Sequence, residues 1–189
     1  MSIEVWSAMA QIGTFVVIAL TAIAALIQLQ HLRSANQLTA WQTFFQMYEG
    51  AELADAFHFV REELAERLQD PVFRAELRNG AIDRARHPEI KIANFFDQWG
   101  SYYRMGAIDR SAFMIASADM IDSFWQLLEP VVALSAVRSG GVNMSFESFE
   151  YMAVQAKEWL ASHPGGNYPA GVARMPLVDK WADVDRAHS

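Results

Sequence analysis

The rhythm of apolar and polar positions changes once along this chain, near residue 30. From Ala8 to Leu29 no residue is charged, and the stretch TFVVIALTAIAALIQLQHLR that opens at Thr14 is dominated by Val, Ile, Leu and Ala. The uncharged run makes about 33 Å of helix, matching a hydrocarbon core about 30 Å thick. Three readings compete for such a run: a cleaved secretory signal, a buried core helix and a membrane anchor. A cleaved signal has a basic head, a shorter apolar run and a small-x-small cleavage site. Here the only charge ahead of the run is Glu4, and the run ends in Leu29, Gln30 and His31. A soluble core helix rarely stays uncharged for so long. The pattern therefore predicts a single transmembrane helix, with residues 1–30 as the anchor.

Beyond the anchor the pattern becomes that of amphipathic helices. No Gly or Pro occurs between Gly13 and Gly50, and Leu38, Trp41, Phe45 and Tyr48 recur at three- and four-residue spacing. The anchor is thus expected to run on as one helix of about 36 residues, with Ser34 as a place for a kink. A floppy tether would be rich in Gly and Ser. A second helix carries the stripe Leu53, Phe57, Val60, Leu64 and Leu68. Asp70-Pro71 then caps and restarts the chain for a short helix ending at Asn79-Gly80. The spacing predicts a helix from Pro88 to Met105, closed by Gly106, that buries Ile92, Phe96, Trp99 and Tyr103. Asp109 caps a short helix, and a long one follows from about Ser117 to Val137, burying Met120, Ile121, Phe124, Leu128 and Val131 and kinked at Pro130. The last helix begins at Ser145, with Phe146, Phe149, Ala153, Ala156 and Leu160 inward. No strand pattern appears. The expectation is an all-α protein: a bundle of about five helices over residues 31–162, then an extended or disordered tail over 163–189.

Composition fits this division. The 189 residues are 52 % apolar with a net charge of −7, and the mean hydropathy is +0.05, as one hydrophobic span on a soluble domain would give. There is no cysteine, which excludes disulfides, thiolate metal sites and thiol nucleophiles. No run of Lys or Arg exists to neutralise phosphates, so nucleic acid is not an expected partner. The flanks set the orientation: no Lys or Arg precedes the span and Arg33 follows it, which points the C-terminal domain to the cytoplasm. Trp6 fits an interfacial aromatic belt, whereas Trp41 reads as core.

Four segments in order, QLQHLRSANQ, IANFFDQWGSYYRMGAID, IDSFWQLLEPVVALSAVRS and FESFEYMA, resemble a bacterial family of unknown function. Its members are short proteins with one N-terminal membrane helix and a helical cytoplasmic part. The resemblance covers roughly residues 5–160. It implies that fold and topology, in a bacterial inner membrane with the N-terminus outside, and no activity or catalytic residues.

Candidate chemistry is sparse. Ala10, Thr14, Thr21, Ala25 and Gln28 fall on one stripe of the span. Such residues are tolerated in lipid, and they are also the kind through which membrane helices pair, by close approach and interhelical hydrogen bonds. Asp55, His58 and Glu62 have the spacing of half a carboxylate-bridged metal site, but the second half is missing. Glu147 and Glu150 form a pair in the first turns of the last helix, where acids complement the helix dipole. Trp99, Tyr102, Tyr103, Phe124 and Trp125 either pack the core or line a pocket. Tyr102 and Trp125 lie off the main stripes, available to a partner. Arg138 compensates a helix C-terminus or meets lipid phosphates. No phosphate loop, nucleophile elbow or zinc-protease motif is present. The reading is a membrane accessory or scaffold protein, with neither cofactor nor metal. It would associate with other membrane subunits or with itself through Thr14, Thr21, Ala25 and Gln28 in lipid and through Tyr102 and Trp125 on the bundle. The alternative is a tethered enzyme or ligand-binding domain with an aromatic-lined pocket.

Overall fold

The computed structural model describes residues 3–79, 82–169, 171–181 and 186, with the backbone alone at positions 4, 5, 8, 10, 33, 34 and 36. Among the described residues the protein is all-α, with seven α-helices and no strand. The first, α1 (Ile3–Tyr48), is 46 residues long and unbroken, about 69 Å from end to end. Its last turns meet the bundle: Phe44 is fully buried, and Ala40, Trp41 and Tyr48 are packed against the core. The inward stripe is therefore displaced from the expected one. Leu38 and Phe45 are exposed, because the bundle approaches α1 from one side only.

Six helices follow. The stripe expected to carry one helix to Leu68 is divided between α2 (Ala51–Glu62) and the single turn α3 (Leu64–Arg67). Glu63 sits between them with φ of −114°, and Leu64 still reaches the core. In α4 (Pro71–Arg78) the Asp70 carboxylate accepts from the Val72 N–H at 2.8 Å, as the Asp-Pro start predicts. Gly80, expected to close it, lies outside the described residues. In α5 (Glu89–Met105) Ile92, Phe96, Trp99 and Tyr103 are buried as their spacing requires, and Gly106 ends the helix at φ 72°, a conformation that favours glycine.

The expected short helix after Asp109 and long helix from Ser117 are one element, α6 (Arg110–Ala136), which runs through Pro130. The Asp109 carboxylate accepts from the Ala112 N–H at 2.8 Å. The Ser- and Ala-rich stretch that looked like a break instead faces the core: Ser117 and Ala118 are buried, and the Ser117 hydroxyl donates to the Phe113 carbonyl. Met120 is only half-buried. A short 3-10 turn (Val137–Ser139) leads to α7 (Glu147–Ser162), which starts two residues later than predicted.

The ring contacts fix the directions of the helices. Thr39, Ala40 and Thr43 lie beside Trp99 and Tyr102, while Gln46, Met47 and Gly50 lie beside Lys91, Asn94 and Phe95, so α5 runs antiparallel to α1. Trp125 meets Phe149 and the Ile115 carbonyl meets Asn167, so α6 and α7 are antiparallel too. Consequently the α5–α6 turn, the start of α6 and the end of α7 gather at the end of the bundle nearest the exposed half of α1. We call this the near end. Pro88 and the 3-10 turn after α6 stand at the far end.

Candidate functional site

Along the first 36 residues of α1 the described large apolar side chains are exposed: Phe15 is 73 % exposed and Leu26 62 %. The stretch is long and apolar enough to cross a membrane. By length and composition α6 passes the same test, but its apolar residues Phe113, Ile121, Phe124 and Leu128 are buried between its neighbours. Thr14, Thr21, Ala25 and Gln28 are all exposed on one face of α1. Thr21 returns its hydroxyl proton to the Val17 carbonyl at 2.8 Å, which satisfies it within its own helix. The side chains of Ala10 and Arg33 lie outside the described residues.

Aromatic packing joins this rod to the bundle. Phe44 meets Trp99 edge-on at 4.9 Å, Phe95 at 5.4 Å and Phe113 at 5.4 Å, and Trp41 lies 5.3 Å from Phe113. Beside this joint Thr39, Thr43, Tyr102 and Ile108 border a hollow of about 370 Å³. Tyr102 is half-buried there, its hydroxyl accepting from Gln98 Nε2 at 3.1 Å. Trp125 is half-buried on the opposite flank, between α6 and α7, edge-on to Phe149 at 5.0 Å. The fold does not bring Tyr102 and Trp125 together. Phe124, Trp99 and Tyr103 are buried among other rings.

At the far end lies a polar cluster that periodicity does not reveal. His87 and Glu89 are each 0 % exposed, with His87 Nδ1 2.7 Å from Glu89 Oε1 and Nε2 2.9 Å from Glu76 Oε2. The other oxygen of Glu76 pairs with Arg86 at 2.6 Å, and His87 Nε2–H donates to Glu76 Oε2. One further proton is shared between His87 Nδ1 and Glu89 Oε1. Burial raises the Glu89 pKa, and the hydrogen bond from His87 lowers it by less. The other Glu89 oxygen is buried without a partner, which a neutral carboxyl tolerates better than a carboxylate. Phe73 packs on the imidazole at 4.5 Å. With both ring nitrogens engaged and no exposure, His87 has neither a free lone pair for a metal nor access to a substrate. The cluster is a clasp that ties α4 and the following loop to the start of α5. Its sequence signal, a His two residues ahead of a Glu at a Pro-initiated helix, is faint.

A second unforeseen contact joins α5 to α7. Asp97 Oδ1 accepts from the backbone N–H groups of Ser148 and Phe149 at 2.9 and 3.0 Å, capping α7 from another helix. Ser101 donates to Ser148 Oγ at 3.0 Å, and a Cβ placed on Gly100 would fall on the Ser148 carbonyl. Here the signal was available: a glycine in mid-helix costs about 1 kcal/mol and marks a close approach.

Comparison with protein-family models, with curated proteins and with solved structures finds no match for this chain. Function is therefore read from its own geometry. Asp55, His58 and Glu62 are exposed on the outer face of α2, and no group of three His, Asp or Glu side chains able to hold a metal forms among the described residues. Glu147 and Glu150 diverge, towards Arg104 at 3.6 Å and Asn143 at 2.8 Å respectively. Arg138 stands at the far end of α6, remote from the rod, and donates to the Ser135 carbonyl at 3.3 Å.

Proposed function

We propose that this chain is a single-pass membrane protein whose helical bundle is held rigidly above the bilayer as a docking module, without chemistry of its own. The observation that carries the reading is the run Ala8–Leu29 of α1: uncharged, apolar, with its described large apolar side chains exposed, and continuous with the helix that anchors the bundle. Water is a poor solvent for such a surface, whereas lipid matches it in length and polarity. The basic residue after the span favours an N-terminus outside and a cytoplasmic bundle. The partner is a second membrane helix, from another subunit or another copy of this chain, which meets the Thr14, Thr21, Ala25 and Gln28 stripe. Gln28 supplies hydrogen bonds there, the Thr21 hydroxyl oxygen is left to accept, and Ala25 permits close approach.

Joint replacement of Thr14, Thr21 and Gln28 by Leu tests the pairing. Leucine keeps the span apolar, so the variant stays in the membrane fraction while its assembly in mild detergent becomes smaller. An assembly of unchanged size would show that the stripe does not pair.

A further inference from the structure

The tail does not leave the bundle at random. Its first part is pinned to the near end: His163 stacks on Trp159 at 4.3 Å, Asn167 accepts from Trp159 Nε1 at 3.0 Å, and Asn167 donates to the Ile115 carbonyl at 2.9 Å. Arg174 returns to the Gly165 carbonyl at 2.6 Å and lies 4.8 Å over the Tyr168 ring. Past Arg174 the chain carries Met175, Leu177, Val178 and Trp181, which are 84, 97, 76 and 68 % exposed, with Pro176, Asp179 and Lys180 among them; the Asp179 carboxylate is turned back onto the Trp181 N–H at 2.9 Å. Aliphatic residues with a Trp and a Lys are the composition of an interfacial membrane contact: the ring and the ammonium sit at headgroup level and the aliphatic groups below.

We propose that Met175–Trp181 is a second membrane contact of this protein, lying in the headgroup–acyl boundary of the bilayer that α1 crosses. The proposal rests on the reading of α1 as a span. The geometry allows it. Phe113 packs on Trp41, which is 12 residues beyond the last residue of the uncharged run, and Ile115 lies two residues further along α6, so the tail starts about 20 Å above the hydrocarbon. From Arg174 to Trp181 an extended chain reaches about 23 Å. The near end of the bundle presents exposed Met105 and Ile115 on the same side. Two contacts, one spanning and one interfacial, would restrain the tilt of the bundle.

The absence of native cysteine allows a direct test. Single variants Leu177→Cys, Met175→Cys, Leu20→Cys and Val142→Cys of the full chain are spin-labelled and reconstituted in phosphatidylcholine–phosphatidylglycerol vesicles. Collision with oxygen, which concentrates in lipid, is compared with collision with a water-soluble nickel complex. Labels at 177 and 175 are expected to read between the span control at 20 and the far-end control at 142, with an oxygen-to-nickel ratio several-fold above that at 142. Labels at 175 and 177 that behave like 142, while 20 reads lipid, overturn the tail contact and leave the span standing. Shielding from both reagents places the tail on protein and also overturns it. A label at 20 that reads water overturns the span reading and the inference together.

Discussion

Glu89 shows how one buried carboxyl governs a junction. Burial lifts its pKa above the ordinary 4.5. Between that value and the raised one the unfolded chain has released its proton while the folded chain retains it. The contribution of Glu89 to stability is therefore full below pH 4.5 and is lost as pH rises through the folded value. Glu89→Gln preserves the size of the side chain and a hydrogen-bonding group for His87 Nδ1 but cannot ionise. Thermal unfolding in detergent should find the variant gaining on the parent protein as pH is raised from the acidic range towards neutrality. A difference that stays constant with pH would show that Glu89 titrates as an ordinary carboxyl. Sequence patterns missed this residue for a physical reason. Its partners His87 and Glu76 come from a loop and another helix, and neither periodicity nor helix propensity encodes a proton shared between them.

Between elements the decisive contact is α5 on α7, where the helices meet so closely that Asp97 caps the neighbouring helix. The obstacle to a side chain at Gly100 is the Ser148 backbone rather than a movable side-chain tip. Gly100→Ala should therefore cost about 3 kcal/mol despite the better helix propensity of alanine, read as a lower Tm by circular dichroism. Gly13→Ala, whose Cβ would meet nothing within 4 Å, serves as the control and should leave the bundle's Tm unchanged. At this scale much was legible beforehand: the Asp70 and Asp109 caps, the Gly106 stop and the buried stripe of α5 all follow from local chemistry. The Asp97 cap did not, because its partners lie 51 and 52 residues away. The start of α6 was misplaced because small residues turned towards a core resemble small residues in a loop. The inward face of α1 was misjudged because its aromatics surround the helix, and only the approach of the bundle selects Phe44 over Phe45.

For the whole molecule, the consequence of an unbroken α1 is one of angular phase. At about 100° per residue, the middle of the Thr14, Thr21, Ala25 and Gln28 stripe lies about 145° around the helix from the middle of the Ala40, Trp41, Phe44 and Tyr48 face. Two copies joined through the stripe would thus carry their bundles outward, on opposite flanks, and their membrane helices would meet without obstruction. Two alanines inserted after Gln30 rotate the bundle by about 200° and bring it over the stripe, so assembly in mild detergent should fail. A seven-residue helical insertion restores the phase to within about 20° and should restore assembly, although it lifts the bundle by about 10 Å. Assembly insensitive to both would mean that the rod twists freely. If the stripe pairs, the helix works as a keyed shaft: its handedness and pitch, rather than any contact in the bundle, decide which faces of two neighbouring copies look at each other and which are left open to a third protein.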